Sequence, residues 1–207
     1  MKISYAITVC NELEEITKLI NVLLKQRRSE DEIVVLFDKG GGTAEVWSRL
    51  LELKKQPNIV LESRTFKKHF ADWKNQLTTL CSGDYIFQID ADEIPHTILL
   101  EALPEILKSN PDNEVYLVPR VNTVKGMLTE HIQKWGWNVS NQGWVNWPDY
   151  QWRIWKNKPN IKWINNVHEK LDGFLTYAPL PKSEQYSLYH PKTIERQEKQ
   201  NKFYETL

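Results

Sequence analysis

The sequence predicts an α/β protein built on a mostly parallel sheet flanked by helices. Three observations carry this. Strand and helix patterns alternate through the first 121 residues. The strands read as almost unbroken apolar runs, as strands buried on both faces do. Carboxylates gather where strands end, and open α/β sheets keep their ligand crevice outside those ends.

Ile3–Val9 is the first strand. Asn11 and Glu14 have the spacing of an N-cap and its capping-box partner. Leu13, Ile16, Ile20, Leu23 and Leu24 then follow at helical spacing. Residues 32–37 form a second strand, closed by Asp38 and Gly40-Gly41-Gly42. A helix is predicted over 44–54 and a short strand over 59–62. Residues 72–80 read as a helix with Trp73, Gln76, Leu77 and Leu80 on one side, stopped by Ser82-Gly83. Residues 84–89 make the fourth strand. Pro95 and Thr97 open a Leu- and Ile-rich helix reaching Lys108, restarted at Pro104 because an internal proline removes a backbone donor. Residues 115–121 are the fifth strand. This βαβαβ order gives a parallel, Rossmann-like sheet.

The second half changes character. Of nine tryptophans, seven lie between Trp135 and Trp163, and residues 122–150 show no clear period. Residues 151–155 and 161–164 read as short strands joined by a turn at 157–160. Residues 193–204 form a polar helix anchored by Ile194, Phe203 and Tyr204. The expectation is one domain over 1–207, with a boundary in character near residue 122.

Lys+Arg and Asp+Glu both number 27. A net charge of zero gives no general pull toward nucleic acid or an anionic membrane. Cys10 and Cys81 sit among apolar neighbours and are expected to be buried free thiols in a reducing compartment. No apolar run approaches the ~18 residues of a membrane span, and no signal-peptide pattern is present. A cytoplasmic protein is expected.

The strand over 84–89 runs into Asp90-Ala91-Asp92-Glu93. Clustered carboxylates at the end of a buried strand repel one another and are costly to remove from water. A divalent cation resolves the conflict, since Mg²⁺ and Mn²⁺ take carboxylate oxygens and keep positions for phosphate. A haloacid-dehalogenase reading is disfavoured, because those enzymes carry such a motif on the first strand. Asp38, at the same sheet edge, caps the next turn or accepts hydrogen bonds from a base or ribose. Lys74 is placed in the first turn of its helix, where a cation opposes the macrodipole and suggests a bound anion. His168 and His190 are candidates to complete a metal shell, and Glu169 to act as base or to hold the histidine tautomer. Asp149 is either a general base or an ion-pair partner of Arg153. The tryptophans fill core or offer aromatic faces to a sugar.

Three stretches together resemble the family 2 glycosyltransferases of the GT-A fold. They are Thr8-Val9-Cys10-Asn11-Glu12, then Lys74-Asn75 through Ser82-Gly83-Asp84-Tyr85-Ile86 to Asp90-Ala91-Asp92-Glu93, then Arg153-Ile154-Trp155 through Trp163 to Val167-His168-Glu169. The resemblance implies inverting transfer of a sugar from a nucleotide-sugar, with UDP the expected carrier, to a glycan or other hydroxyl acceptor, using Mn²⁺ or Mg²⁺. It implies that Thr8, Val9, Asn11, Glu12 and Asp38 cradle the nucleoside, that Asp90 lies nearer the ribose or the metal and its bound water, and that Ala91 borders the donor. Lys74 would face the diphosphate and Asp92 would be the principal metal ligand. Two departures stand out. Asp38-Lys39-Gly40-Gly41-Gly42-Thr43 replaces the family's Asp-Gly-Ser-Thr-Asp stretch, and no Glu-Asp pair marks the base. Asp149 is the first choice for that role and Glu169 the second. A nucleotidyltransferase of similar fold and a sugar-binding module without catalysis are the alternatives.

Overall fold

In the computed structural model, which describes residues 1–204, the first strand becomes the middle of the main sheet. β1 (Ile3–Val9) pairs in parallel with β2 (Glu32–Asp38) and with β4 (Tyr85–Asp90), and β2 pairs in parallel with β3 (Ile59–Arg64). Beyond β4, β8 (Gln151–Lys156) runs antiparallel, and β6 (Val115–Val118) and β11 (Tyr177–Pro179) resume the first direction. The sheet has seven strands in the order β11-β6-β8-β4-β1-β2-β3.

Alternation along the strands explains why the apolar runs are unbroken. Ile3, Tyr5, Ile7, Ile33, Val35 and Phe37 face α1 (Leu13–Gln26), α2 (Ala44–Leu53) and α4 (Thr97–Ser109). Ala6, Val34, Leu36 and Ile86 face the opposite side, where α3 (Phe70–Thr78) supplies Trp73 and Leu77. Both faces are therefore dry. One-residue register slips would exchange the two sets of side chains, so the register is strongly specified.

Several sequence expectations are corrected. The N-cap of α1 is Glu12, not Asn11, and Glu12 turns its carboxylate back onto the amides of Cys10 (2.8 Å) and Asn11 (3.0 Å). α3 starts two residues early, with the His69 ring accepting from the Asp72 amide at 3.2 Å. Lys74 thus sits mid-helix, and the macrodipole argument for a bound anion falls. α4 runs through Pro104 without restarting. Burial of Leu99, Leu100, Leu103 and Leu107, at about 1.5–3 kcal/mol each, exceeds the ~3 kcal/mol that an internal proline costs. Cys10 and Cys81 are free thiols, as expected, but each is only partly buried.

The second half departs most. The predicted fifth strand breaks at Pro119. β6 stays in the main sheet, while β7 (Arg120–Lys125) joins a second, three-stranded sheet with β12 (Leu188–Thr193) and β5 (Ile94–Pro95). The stretch without a period holds a short helix, α5 (Thr129–Trp135). β8 and β9 (Lys162–Ile164) do not form a hairpin, since β9 pairs instead with β10 (Lys170–Asp172). A 3₁₀ turn at Glu184–Tyr186 leads into β12. The last helix, α6 (Ile194–Tyr204), is anchored by Ile194, while Phe203 is 43% exposed. The Tyr204 side chain and residues 205–207 lie outside what is described.

Candidate active site

A cleft of about 1600 Å³ opens over the C-terminal ends of β1, β2 and β4. Thr8, Val9, Asn11, Glu12, Asp38, Lys74, Asp90, Ala91, Asp92, Asp149, His168, Glu169 and His190 all line it. The sheet gathers these residues from positions 8 to 190, because parallel strands end on one edge.

Asp38 is fixed by its own loop. Its Oδ1 accepts from the amides of Gly40 (2.9 Å) and Phe66 (3.0 Å), and its Oδ2 lies 3.8 Å from Cys10 Sγ. Gly42 is required here, as an added Cβ would stand 2.3 Å from the Phe37 ring and 2.4 Å from the Asp38 carbonyl oxygen. Burial, then the nearby Asp38 and Glu12 carboxylates, push the Cys10 thiol up to about 12. Cys10 is therefore no thiolate nucleophile at neutral pH.

Asp90 and Asp92 occupy different surroundings despite being two residues apart. Arg153 is 3% exposed and donates to Asp90 Oδ2 at 2.5 Å and to Glu93 Oε1 at 2.7 Å. Arg120 donates to Glu93 Oε1 at 3.0 Å and, through Nε, to Asp149 Oδ2 at 2.9 Å. Asn122 Nδ2 donates to the same Asp149 oxygen at 2.7 Å, and Asn122 Oδ1 lies 2.8 Å from His190 Nδ1. His190 Nε2 is 3.3 Å from Asp92 Oδ2. A continuous line of contacts thus leaves at Asp90 and returns at Asp92. Burial opposes ionisation of Asp90, but Arg153 and then Lys74 bring it down to about 2. Burial likewise opposes ionisation of Asp92, and His190, Arg196 and Lys192 hold it well below the usual carboxylate range.

This line includes residues that sequence reasoning missed. Arg120 and Asn122 were not singled out, Glu93 of the carboxylate cluster is bound by two arginines, and Asp149 pairs with Arg120 instead of Arg153. A lone arginine inside each of two apolar strands, Val118-Pro119-Arg120-Val121 and Trp152-Arg153-Ile154-Trp155, was the readable signal. A buried guanidinium is not tolerated without a carboxylate partner.

On the facing wall, Lys74 is buried, pairs with Glu169 Oε1, and lies 4.5 Å above the centre of the Trp163 ring. His168 is exposed, with φ at 54°. His168 is therefore not a buried group, whereas Glu169 is partly buried against Lys74. Among the described residues, no group of three or more His, Cys, Asp or Glu side chains is placed to hold a metal ion. His168 does not complete a protein cage with Asp92, Asp90 and His190. The tryptophans divide. Trp155 is core, while Trp73, Trp137, Trp152 and Trp163 reach the cleft.

The two donors that do meet, Asp92 Oδ2 and His190 Nε2, fit a hard cation that arrives with its own oxygen ligands. Mg²⁺ and Mn²⁺ commonly use one or two protein ligands and take the rest from phosphate and water. The tautomer supports this fit. Asn122 spends its Nδ2 on Asp149, so its Oδ1 accepts and His190 Nδ1 carries the proton. With Nδ1 protonated, Nε2 faces the Asp92 carboxylate as a lone pair unless it too carries a proton, and a cation between them would satisfy both.

A mostly parallel sheet, with a carboxylate motif ending a central strand beneath a deep cleft, is the GT-A arrangement. The glycosyl transferase family 2 model matches residues 4–177, and the chain belongs to that family. The structure is similar to S. aureus TarS 1-349 in complex with UDP-GlcNAc, with a TM-score of 0.66 and 17% identity over 93% of this chain and 59% of that one. It is similar to the same protein in complex with UDP, with a TM-score of 0.65 and 16% identity over 92% and 60% of the two chains. This chain thus spans about three-fifths of those TarS chains. No curated protein matches the sequence.

Proposed function

We propose that the protein transfers a sugar, with inversion, from a nucleoside-diphosphate sugar to an acceptor hydroxyl, and that it uses Mn²⁺ or Mg²⁺. UDP is the proposed carrier, in line with the UDP and UDP-GlcNAc complexes of the similar TarS structures. The observation that carries this reading is the meeting of Asp92 Oδ2 and His190 Nε2 at 3.3 Å on the cleft wall. Four carboxylates, Asp90, Glu93, Asp149 and Asp92, meet the two guanidinium groups of Arg153 and Arg120 along the line of contacts, and Arg196 brings a third cation to Asp92.

Asp92 and His190 would hold the ion, which when bound supplies positive charge to the leaving diphosphate. Thr8, Val9, Asn11, Glu12 and Asp38 line the nucleoside end of the cleft, with Asp90 and Ala91 beside the ribose. Lys74 meets the diphosphate and adds a fixed positive charge where charge develops. The acceptor hydroxyl attacks the anomeric carbon from the face opposite the diphosphate, and its proton passes to Asp149. Burial raises Asp149, but Arg120 and Asn122 more than reverse this, so it is ionised at neutral pH. Its Oδ1 carries a single hydrogen bond, from Gln151 Nε2 at 2.9 Å. Glu169, already paired with Lys74, is the second choice. The acceptor, a glycan or another hydroxyl compound, enters along Trp137 and Trp152.

Calorimetric titration with UDP, GDP and dTDP, each with and without Mn²⁺, tests the reading. Metal-dependent binding of one nucleotide is expected, and Asp92→Ala should abolish it. Glycan binding without any nucleotide binding would replace the transferase by a sugar-binding module. Binding of a nucleoside triphosphate with release of pyrophosphate would point to nucleotidyl transfer.

A further inference from the structure

One contact at Asp92 is unused by this scheme. Arg196 Nη2 lies 3.2 Å from Asp92 Oδ2, the same oxygen that His190 approaches. Arg196 Nη1 is 2.7 Å from Glu15 Oε1, and its Nη2 is 3.9 Å from Glu12 Oε1. The guanidinium therefore bridges α1, the end of β4 and α6. It stands where Asp92 and His190 would take a metal.

The helix that carries Arg196 is weakly held. α6 is polar along its length, and Ile194 is its buried apolar residue. Lys192 Nζ bonds Gln200 Oε1, which ties the helix to the strand before it. Arg196, Gln197, Gln200 and Asn201 line the cleft, so the helix lies along its mouth. A short polar helix with one buried apolar side chain among the described residues draws much of its position from its charge contacts.

We propose that Arg196 holds the cation position at Asp92 in the donor-free protein and yields it when the nucleotide and its metal arrive. This inference rests on the metal position proposed above. A monovalent guanidinium and a divalent ion compete for one carboxylate oxygen. The ion prevails when the diphosphate supplies its remaining ligands, and the guanidinium prevails when nothing does. Metal binding thereby becomes dependent on nucleotide, and α6 moves off Asp92 as the donor enters. Arg196 is a positioning residue in this scheme.

The test measures free Mn²⁺ by electron paramagnetic resonance in titrations of the whole protein without nucleotide. Arg196→Gln should bind Mn²⁺ on the order of tenfold more tightly than wild type, about the worth of one charge-assisted hydrogen bond. Glu15→Gln, which removes the arginine's partner on α1, should shift the affinity the same way by less. With UDP present the variants and wild type should converge. A nitroxide on the exposed Lys199 should gain mobility in wild type when UDP and Mn²⁺ are added together. Equal or weaker Mn²⁺ binding by Arg196→Gln, with its melting temperature unchanged, would overturn the competition and leave the metal site standing. Absence of Mn²⁺ binding in every variant, with or without UDP, would remove the metal site and the competition together.

Discussion

The two walls of the cleft are made in different ways. The wall under Asp38, Asp90 and Arg153 stands on strands buried on both faces, and its charges are held by groups that cannot move without unpacking the core. The wall made by β7, β12 and α6 is a small second sheet and a polar helix, and its charges are held mainly by one another. Asp90 and Asp92 are neighbours in the chain, yet each belongs to a different wall. A partner fixed by packing turns Asp90 into structure. Partners fixed by other charges are what the proposed exchange of cations at Asp92 requires.

The comparison breaks most visibly at Arg153. Arg153→Met removes a buried cation from Asp90 and Glu93, and about 3–5 kcal/mol of stability should go with it. Thermal melting checks this, and a loss below 1 kcal/mol would show that the first wall is no more rigid than the second. Next comes Asp149, at the junction of the two. Asp149→Asn should lower kcat on the order of 10²–10⁴-fold with little change in nucleotide affinity. Nucleotide release during steady-state turnover reports the first quantity and calorimetry the second. Near-wild-type turnover would pass the role of base to Glu169.

The smallest effect lies at the far end of the sheet, where Glu32 is buried. Burial raises its pKa, but bonds from Lys2, Ser4 and Ser82 bring it from 4.5 down to about 2. A lowered carboxylate contributes stability that is full above its unfolded pKa and is lost as pH falls through the folded value. Roughly 3 kcal/mol is at stake, expressed between about pH 4.5 and 2. Glu32→Gln should flatten that part of the stability–pH curve in denaturant titrations. An unchanged acid limb would mean that these bonds persist in the unfolded chain.

The difference between the walls also explains what was legible in the sequence. Ile3–Val9, residues 32–37 and the carboxylates that follow residue 89 could be read directly, since burial on both faces writes itself as an apolar run. The cleft edge followed, because parallel strands end together. The break at Pro119, the placement of β8 between β4 and β6, and the pairing of β7 with β12 leave no such pattern. They are set by contacts between residues some 35 to 70 positions apart. Asp149 was legible as a carboxylate with a purpose. Its partner was not, because Arg120 and Arg153 look alike until the second sheet turns one of them toward Glu93 and Asp149.

The pairing of β12 with β7 and β5 has a consequence for the order of events in folding. His190 and Arg196 reach Asp92 from about a hundred residues further along the chain. The β1–β4 layer is built from the first ninety residues and their neighbours, whereas the proposed cation site would exist only once β12 has docked. A long loop closes at an entropic cost that grows only slowly with length, so the docking is feasible but late. During synthesis, the protein would acquire its sheet first and its site last. A nascent chain stalled before β12 would be folded in outline and chemically silent.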